Sequence, residues 1–304
     1  EQYVIRVLQQ EPDNMEFILL RAKILMKKGE YLNVSSLLDV YSRNNGTDKD
    51  YLLLRAELQR DWNKNISAAS STIQTALNLY PDDIDVLLMA ASIMASSGQK
   101  IGQKSLRDVL DTVLKKDPNN AFAQELLISE YLNLEDWNSA YNLSFSLINK
   151  KNYSTQILLQ HIKSCIALKL SSEARNTFIL LKNYSVEKNI LDLVEVQILI
   201  AEGRKAEALN LIQKALSEYS GKIKSNFYYE KSRIASNDDQ KLSDLRSSLT
   251  ANPRNPEALF ALYEYYFKKA DYRKAQYYLR QVVALNPESK KLAELNAKLD
   301  TLIN

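Results

Sequence analysis

The only histidine and the only cysteine of the chain, His161 and Cys165, stand four residues apart. On a helix they share one face, so they could form an imidazole–thiolate pair of the kind used in nucleophilic catalysis. The alternative is packing. At the position of Cys165, the other repeated segments described below carry typical core residues: Leu25, Met94, Tyr131 and Leu199. A metal site needs three or four ligands, and this pair supplies two. We therefore interpret the pair as core, and predict no catalytic residue, no metal and no cofactor.

The remaining signals of enzyme chemistry are missing from the sequence. No G-x-x-x-x-G-K-[ST] or G-x-G-x-x-G phosphate loop occurs. The carboxylates are numerous, but no pattern among them indicates a matched general acid and base. We predict that the chain is not an enzyme.

The net charge of +3, from 40 basic and 37 acidic side chains, is too small to indicate binding to nucleic acid or to an anionic membrane. No run approaches the roughly 20 apolar residues of a membrane span. The sequence begins at Glu1 without a methionine, so we expect a targeting signal or lipid anchor to be missing. The localisation stays open between the cytoplasm and a bacterial cell envelope or periplasm.

One stretch, KIKSNFYYEKSR (222–233), alternates basic with aromatic residues. Such a stretch could stack bases and hold phosphates, or it could bind an acidic peptide that carries aromatic groups. The third interpretation is a helix with an aromatic core face and a solvated basic face. We favour the third, keep peptide binding as the main alternative, and expect no nucleic acid.

The elements that position these residues repeat along the chain. The segments ILLRAKI (18–24) and LLLRAEL (52–58) share the letters LLRA at an interval of 34 residues, and Ala140, Ala174 and Ala208 repeat that interval. A fixed period of this length indicates a repeat architecture.

Prolines and glycines mark the ends of the repeated helices. Five of the six prolines stand two residues before predicted N-caps: Asn14, Asp83, Asn120, Asn255 and Ser289. Three glycines follow helical patterns, where a left-handed turn is expected: Gly29, Gly98 and Gly203. The unit is therefore helix, turn, helix, turn.

The last unit, PEALFALYEYYFKKADYRKAQYYLRQVVALNP, resembles the tetratricopeptide repeat (TPR) family. The residues that match the family pattern are Leu259, Leu262, Tyr266, Tyr272, Ala275 and Pro287. Two positions depart from it, because Tyr263 replaces a small residue and Leu279 replaces an aromatic one.

The resemblance implies an all-α fold, an α-α superhelix in which helix-turn-helix repeats form a right-handed solenoid. We predict a partial repeat with only its second helix at 1–14, about eight repeats at 15–289, and a capping helix at 290–304. The expected unit starts are near residues 15, 49, 84, 121, 155, 189, 223 and 256. Three residues are inserted near 98–104, and the register between 223 and 249 stays open by two or three residues.

In the family, the first helices of successive units line a groove that holds segments of other proteins. The resemblance places these residues of the first half there: Glu16, Lys23, Asp50, Glu57, Asp85 and Glu125. In the second half it places Gln156, Lys163, Gln197, Lys224, Phe227, Lys231, Phe260, Glu264 and Phe267. Five leucines recur at one site, where neighbour packing and ligand contact are equally plausible: Leu19, Leu53, Leu88, Leu159 and Leu193.

Binding energy concentrates on aromatic anchors supported by a few charges, and these gather in the last two units. We therefore predict the main peptide site at Lys224, Phe227, Tyr228, Lys231, Phe260, Glu264 and Phe267. The expected partner is a protein or peptide segment, apolar or aromatic, with acidic groups.

Two functions follow from the repeat prediction. The first is a scaffold or adaptor for protein–protein interaction. The alternative is an accessory array of a larger envelope-anchored assembly protein or enzyme, with membrane contact only through a missing N-terminal anchor. We also expect the helix at residues 3–10 to pack on the following unit, exposing enough apolar surface for weak self-association.

Overall fold

The protein is described by a computed structural model that covers residues 1–45, 48–285 and 289–303. Over these residues the chain is helical and contains no strand; an isolated bridge joins Ile101 and Lys104. The helices are α1 (Gln2–Gln10), α2 (Met15–Lys28), α3 (Tyr31–Asn45), α4 (Lys49–Asp61), α5 (Ile66–Leu79), α6 (Ile84–Ser97), α7 (Leu106–Lys116), α8 (Ala121–Asn133), α9 (Trp137–Asn149), α10 (Thr155–Ala167), α11 (Ser171–Leu181), α12 (Lys188–Ala201), α13 (Lys205–Glu218), α14 (Gly221–Arg233), α15 (Asp238–Ala251), α16 (Pro256–Lys268), α17 (Tyr272–Leu285) and α18 (Lys290–Ile303). The prediction of an all-α fold is confirmed.

The helices form two compact units, Glu1–Glu130 and Tyr131–Asn304. Within each unit, helices that follow one another in sequence pack together. Among the described helices, none combines the length and the hydrophobicity that crossing a lipid bilayer requires.

The predicted N-caps are confirmed by their hydrogen bonds. Each accepts a backbone N–H of the first helical turn, as in Ala258 N–H to Asn255 Oδ1 at 2.9 Å and Ala123 N–H to Asn120 Oδ1 at 3.0 Å. The remaining caps bond likewise: Asn14, Asp83 and Ser289. Pro287, which matches the family pattern, lies outside the described residues.

Turns between helices use left-handed backbone. Gly29 and Gly98 end α2 and α6 with φ of 76° and 71°, and Gly203 follows α12 with φ of 77°. Other turns place residues with side chains in the same conformation: Lys64, Glu135, Lys151, Lys169 and Ala270. Glycine therefore marks only some of these turns.

The insertion near 98–104 is a small bridged turn. Its Ile101 side chain is buried. Gly102 has φ of 61°, and a Cβ there would lie 2.4 Å from the Gln74 side chain. The extra residues thus place an apolar side chain in the core between α6 and α7.

Close packing within the units depends on small residues. The alanines that mark the repeat are completely buried: Ala140, Ala174, Ala208 and Ala275. In the last repeat, Ala275 packs in a cluster with buried Leu259, Leu262 and Leu279.

Both ends of the chain are covered by single helices. At the start, Val4 of α1 is buried and Tyr3 contacts Phe17 of α2, with 6.1 Å between ring centroids. At the end, Leu292 and Leu299 of α18 are buried in the cluster formed with α15, α16 and α17. Both end helices thus pack on their neighbours; Asn304 lies outside the described residues.

Candidate functional site

The first unit contains a groove of about 770 Å³ lined by α2, α4, α6 and the start of α8. Its lining is largely apolar, with charged side chains among the apolar ones. The lining residues are Leu20, Lys23, Ile24, Met26, Lys27, Asp50, Leu53, Leu54, Glu57, Arg60, Asp85, Leu88, Met89, Ser92 and Phe122.

Helical spacing explains why these side chains meet. On α4, Leu53, Glu57 and Arg60 follow at intervals of four and three residues, so they lie along one face. On the same helix, Leu52 and Ala56 are buried in the core. Each helix therefore divides its residues between the core and the groove.

Two apolar side chains of the groove are strongly exposed. Leu20 of α2 is 41% exposed and Phe122 of α8 is 44% exposed. Because both line one concave surface, a ligand in the groove would remove them from water together. Exposed apolar surface gathered in a groove is typical of a binding site.

The charges of the groove are balanced: Lys23, Lys27 and Arg60 face Asp50, Glu57 and Asp85. Lys23 Nζ donates to Asp50 Oδ2 at 2.8 Å, which links α2 to α4. Lys49, which precedes Asp50 at the start of α4, makes a similar link to the start of α6. Its Nζ donates to Asp83 Oδ2 at 2.9 Å and lies 3.5 Å from Asp85 Oδ2. These pairs leave little uncompensated charge for a highly charged ligand.

Arg60 is fixed in place by its neighbours. Its guanidinium donates to both carboxylate oxygens of Asp61, at 2.6 and 2.7 Å, and to Ser92 Oγ at 2.6 Å. The hydrogen bond from Arg60 lowers the pKa of Asp61. Burial raises the pKa of the nearby Glu57 carboxyl above its usual value. The groove thus holds one carboxyl that water solvates poorly.

The residues predicted for the first half agree well with this groove. Six of them line it: Lys23, Asp50, Leu53, Glu57, Asp85 and Leu88. Three do not: Glu16 and Glu125 are not among the lining residues, and Leu19 is 7% exposed and belongs to the core. Sequence reasoning missed Arg60, Met89 and Phe122, although the spacing of α4 and α6 could have indicated the first two.

The second-half prediction needs two corrections. Phe227 is completely buried, and its ring stacks on Tyr219 with 5.6 Å between centroids. It is a core residue and has no surface to offer a ligand. Lys231 Nζ donates at 2.8 Å to Asp244, a carboxylate that is 3% exposed. Its charge is therefore occupied by a buried partner within the chain.

The other predicted residues of the second unit lie nearer the surface. On α16, Phe260 and Phe267 flank Tyr263 with ring centroids 5.3 and 5.8 Å away, and Glu264 is exposed between them. Lys224 and Tyr228 of α14 are half-buried. The structure thus brings three predicted residues together on one helix.

The His161–Cys165 pair is buried, as its interpretation as core predicted. The premise that only two donor groups are available is wrong, however. Glu173 of α11 lies against the pair, and the donor atoms of all three side chains lie within 4.8 Å of one another. Burial raises the pKa of the Cys165 thiol to about 12 and lowers the pKa of His161.

Comparison with known proteins supports the fold alone. No family model matches the chain, and no curated protein matches it in sequence. A tetratricopeptide repeat protein from Parabacteroides merdae matches in structure with a TM-score of 0.57 and 16% identity, covering 95% of this chain and 99% of its own.

Two further solved structures are similar. A chain of the APC/C hetero-tetramer Cut9–Hcn1 has a TM-score of 0.51 and 12% identity over 98% of this chain and 58% of its own. The human IFIT1 dimer with m7Gppp-AAAA has a TM-score of 0.51 and 11% identity over 89% and 68%. The chain therefore has the fold of a TPR-like repeat protein.

Proposed function

We propose that the chain is a scaffold that binds an apolar segment of another protein in the groove of the first unit. The observation that carries the proposal is the joint exposure of Leu20 and Phe122 above a lining of leucine, isoleucine and methionine. Grooves of about 300–1,000 Å³ accommodate drug-sized ligands, so a volume of about 770 Å³ suits a few side chains of a peptide.

Charge supports an apolar segment over a polyanion. Three basic and three acidic side chains line the groove, and ion pairs already satisfy Lys23 and Asp50. A nucleic acid would need uncompensated basic groups for its phosphates. A peptide with apolar anchors and few charges fits better than the acidic segment expected for the second half.

The size of the effect follows from Phe122. A phenylalanine side chain buries roughly 200 Å² when fully covered, so covering its exposed 44% removes about 90 Å² from water. At roughly 25 cal/mol per Å² this contributes about 2 kcal/mol, or roughly 30-fold in affinity.

The test starts from a peptide selected on the intact chain from a random display library, with affinity measured by fluorescence anisotropy. Phe122→Ala should weaken the selected peptide roughly 30-fold. The matched control is Phe145→Ala in the second unit, because Phe145 is similarly exposed, at 41%. Equal affinity of the parent and the Phe122 variant would contradict this site.

A second contact surface in the second unit also remains a proposal. It consists of Phe260, Glu264 and Phe267 on α16, with Lys224 and Tyr228 on α14. Phe267→Ala in the same assay distinguishes the two surfaces, because a peptide held in the first unit would be unaffected.

The alternative context, an accessory array of a larger envelope-anchored protein or enzyme, uses the same groove. It differs in what is joined to the chain and leaves the peptide assay unchanged. The sequence of the gene upstream of Glu1 distinguishes it from a free-standing scaffold.

A further inference from the structure

Three consecutive helices of the second unit converge on His161. His161 and Cys165 lie on α10, Glu173 lies on α11, and Ser144 and Tyr141 lie on α9. His161 Nε2 is 3.4 Å from Cys165 Sγ and 3.5 Å from Glu173 Oε1. His161 and Cys165 are almost completely buried, whereas the Glu173 side chain is 31% exposed. The cluster is therefore a buried donor set with one side open to solvent.

Hydrogen bonding on α9 determines which nitrogen of His161 faces the cluster. Ser144 Oγ lies 2.7 Å from the Ala140 carbonyl oxygen and 3.0 Å from that of Tyr141, so its single hydrogen is donated to the backbone. At its 2.8 Å contact with His161 Nδ1, Ser144 Oγ can then only accept. In the tautomer that matches this arrangement the proton is on Nδ1, and neutral His161 presents the lone pair of Nε2 to Cys165 and Glu173.

The same geometry leaves a carboxylate oxygen facing that lone pair. Glu173 Oε2 accepts a hydrogen bond from the Tyr141 hydroxyl at 2.9 Å, which fixes the carboxylate and leaves Oε1 beside Nε2. A divalent cation placed between them would be attracted by the lone pair and by the carboxylate together.

The distances fit a tetrahedral metal centre. With zinc–nitrogen and zinc–oxygen bonds of about 2.1 Å and a zinc–sulfur bond of about 2.3 Å, neighbouring ligand atoms lie about 3.4–3.6 Å apart. Two of the three separations match, 3.4 Å for sulfur to nitrogen and 3.5 Å for nitrogen to oxygen, and the third, from sulfur to the carboxylate, is within 4.8 Å. Two hydrogen bonds hold the ligand side chains from behind: His161 Nδ1 bonds with Ser144 Oγ, and Glu173 Oε2 accepts from the Tyr141 hydroxyl. Such outer hydrogen bonds orient metal ligands.

We propose that His161 Nε2, Cys165 Sγ and the Glu173 carboxylate bind a divalent transition-metal ion of the zinc class, with the fourth position open to solvent. Nitrogen and sulfur donors favour this class over magnesium or calcium, which prefer all-oxygen ligands. On binding, the metal–sulfur bond replaces the S–H bond, and the thiol proton is released to solvent. The ion would link α10 to α11, with α9 holding the ligands in place.

The test uses Co²⁺ as the metal, added to the intact purified chain after treatment with a chelator. Cys165 is the only cysteine, so a thiolate-to-cobalt charge-transfer band in the near ultraviolet reports on this residue alone. We expect one Co²⁺ per chain with that band, its displacement by Zn²⁺, and release of a proton measured with a pH indicator. Absence of binding, or binding without the band, overturns the proposal.

Variants identify the other ligands and keep the test valid if one variant fails to fold. Glu173→Gln keeps the size of a half-exposed side chain and should weaken Co²⁺ at least 10-fold. Its matched control is Glu195→Gln, because Glu195 is 32% exposed and belongs to the adjacent helix α12. Ser144→Ala should weaken Co²⁺ roughly 10- to 100-fold through the orientation of His161. Unchanged affinity in both Glu173→Gln and Ser144→Ala would place the metal elsewhere.

Discussion

Substituting Ala208 of α13 with leucine tests the packing of the second unit most directly. Ala208 is completely buried in a cluster with Val196, Leu199 and Ile212. Leucine adds three carbon atoms at a position with no exposed surface, so the helices must separate or the neighbouring side chains must leave their preferred rotamers.

The expected cost is that of overpacking a well-packed core, about 1–3 kcal/mol in the free energy of unfolding. For a unit of this size, each kcal/mol changes the melting temperature by about 2–4 °C, so Ala208→Leu should melt about 2–12 °C below the parent. Because repeat units couple mainly to their neighbours, the loss should begin in the second unit.

Ala206→Leu is the matched control, because Ala206 lies on the same helix and is exposed. Leucine and alanine have similar helix propensities, so this variant should stay within about 0.5 kcal/mol of the parent. The measurement is thermal and urea denaturation followed by circular dichroism. If Ala208→Leu melts together with the parent, Ala208 does not lie at a close contact and the packing described here is wrong.

Two further predictions concern charge. Glu202 accepts hydrogen bonds from both Arg175 and Arg204, and the bond from Arg175 is the main cause of its lowered pKa. A lowered pKa stabilises the fold above the unfolded value of about 4.5, and this effect is lost as the pH falls through the folded-state pKa. Glu202→Gln should therefore cost about 1–2 kcal/mol at pH 7, and progressively less as the pH falls below about 4.5, by urea denaturation. Lys231→Glu would place a second carboxylate against buried Asp244 and should cost about 3 kcal/mol at neutral pH in the same assay; a parent-like stability would show that the pair contributes nothing.

Helical spacing allowed part of the groove to be predicted from the sequence. The starts expected near 15, 49 and 84 are the residues at which α2, α4 and α6 begin, and six of the eight residues predicted on these helices line the groove. For α14 the expected start near 223 is two residues late, since the helix begins at Gly221. The start alone does not explain the burial of Phe227, because Leu19, at the corresponding place of a correctly placed helix, is buried as well; neighbour packing took this position in both helices.

Charge pairing was beyond the reach of the sequence for a different reason. Lys231 has the same type and spacing as a groove-facing lysine, but Asp244 approaches it from α15, 13 residues further along. The periodicity of one helix contains no information about the polar groups on its neighbour. The same holds for Phe122, whose exposure depends on the other helices of the groove.

The Cys165–Glu173 contact shows which pattern does cross from helix to helix. The two residues stand four positions on either side of Lys169, the left-handed residue of the turn between α10 and α11. In the last unit the same spacing around left-handed Ala270 pairs Tyr266 with Lys274, whose Nζ lies 5.3 Å from the ring centroid. In both of these hairpins the fourth residue before the left-handed residue lies near the fourth residue after it. At this repeated position one unit carries a ring and an ammonium group, and another carries a thiol and a carboxylate, with His161 one helical turn from the thiol. The scaffold supplies the same contact each time, and the residues placed there decide whether it only packs or can also bind an ion.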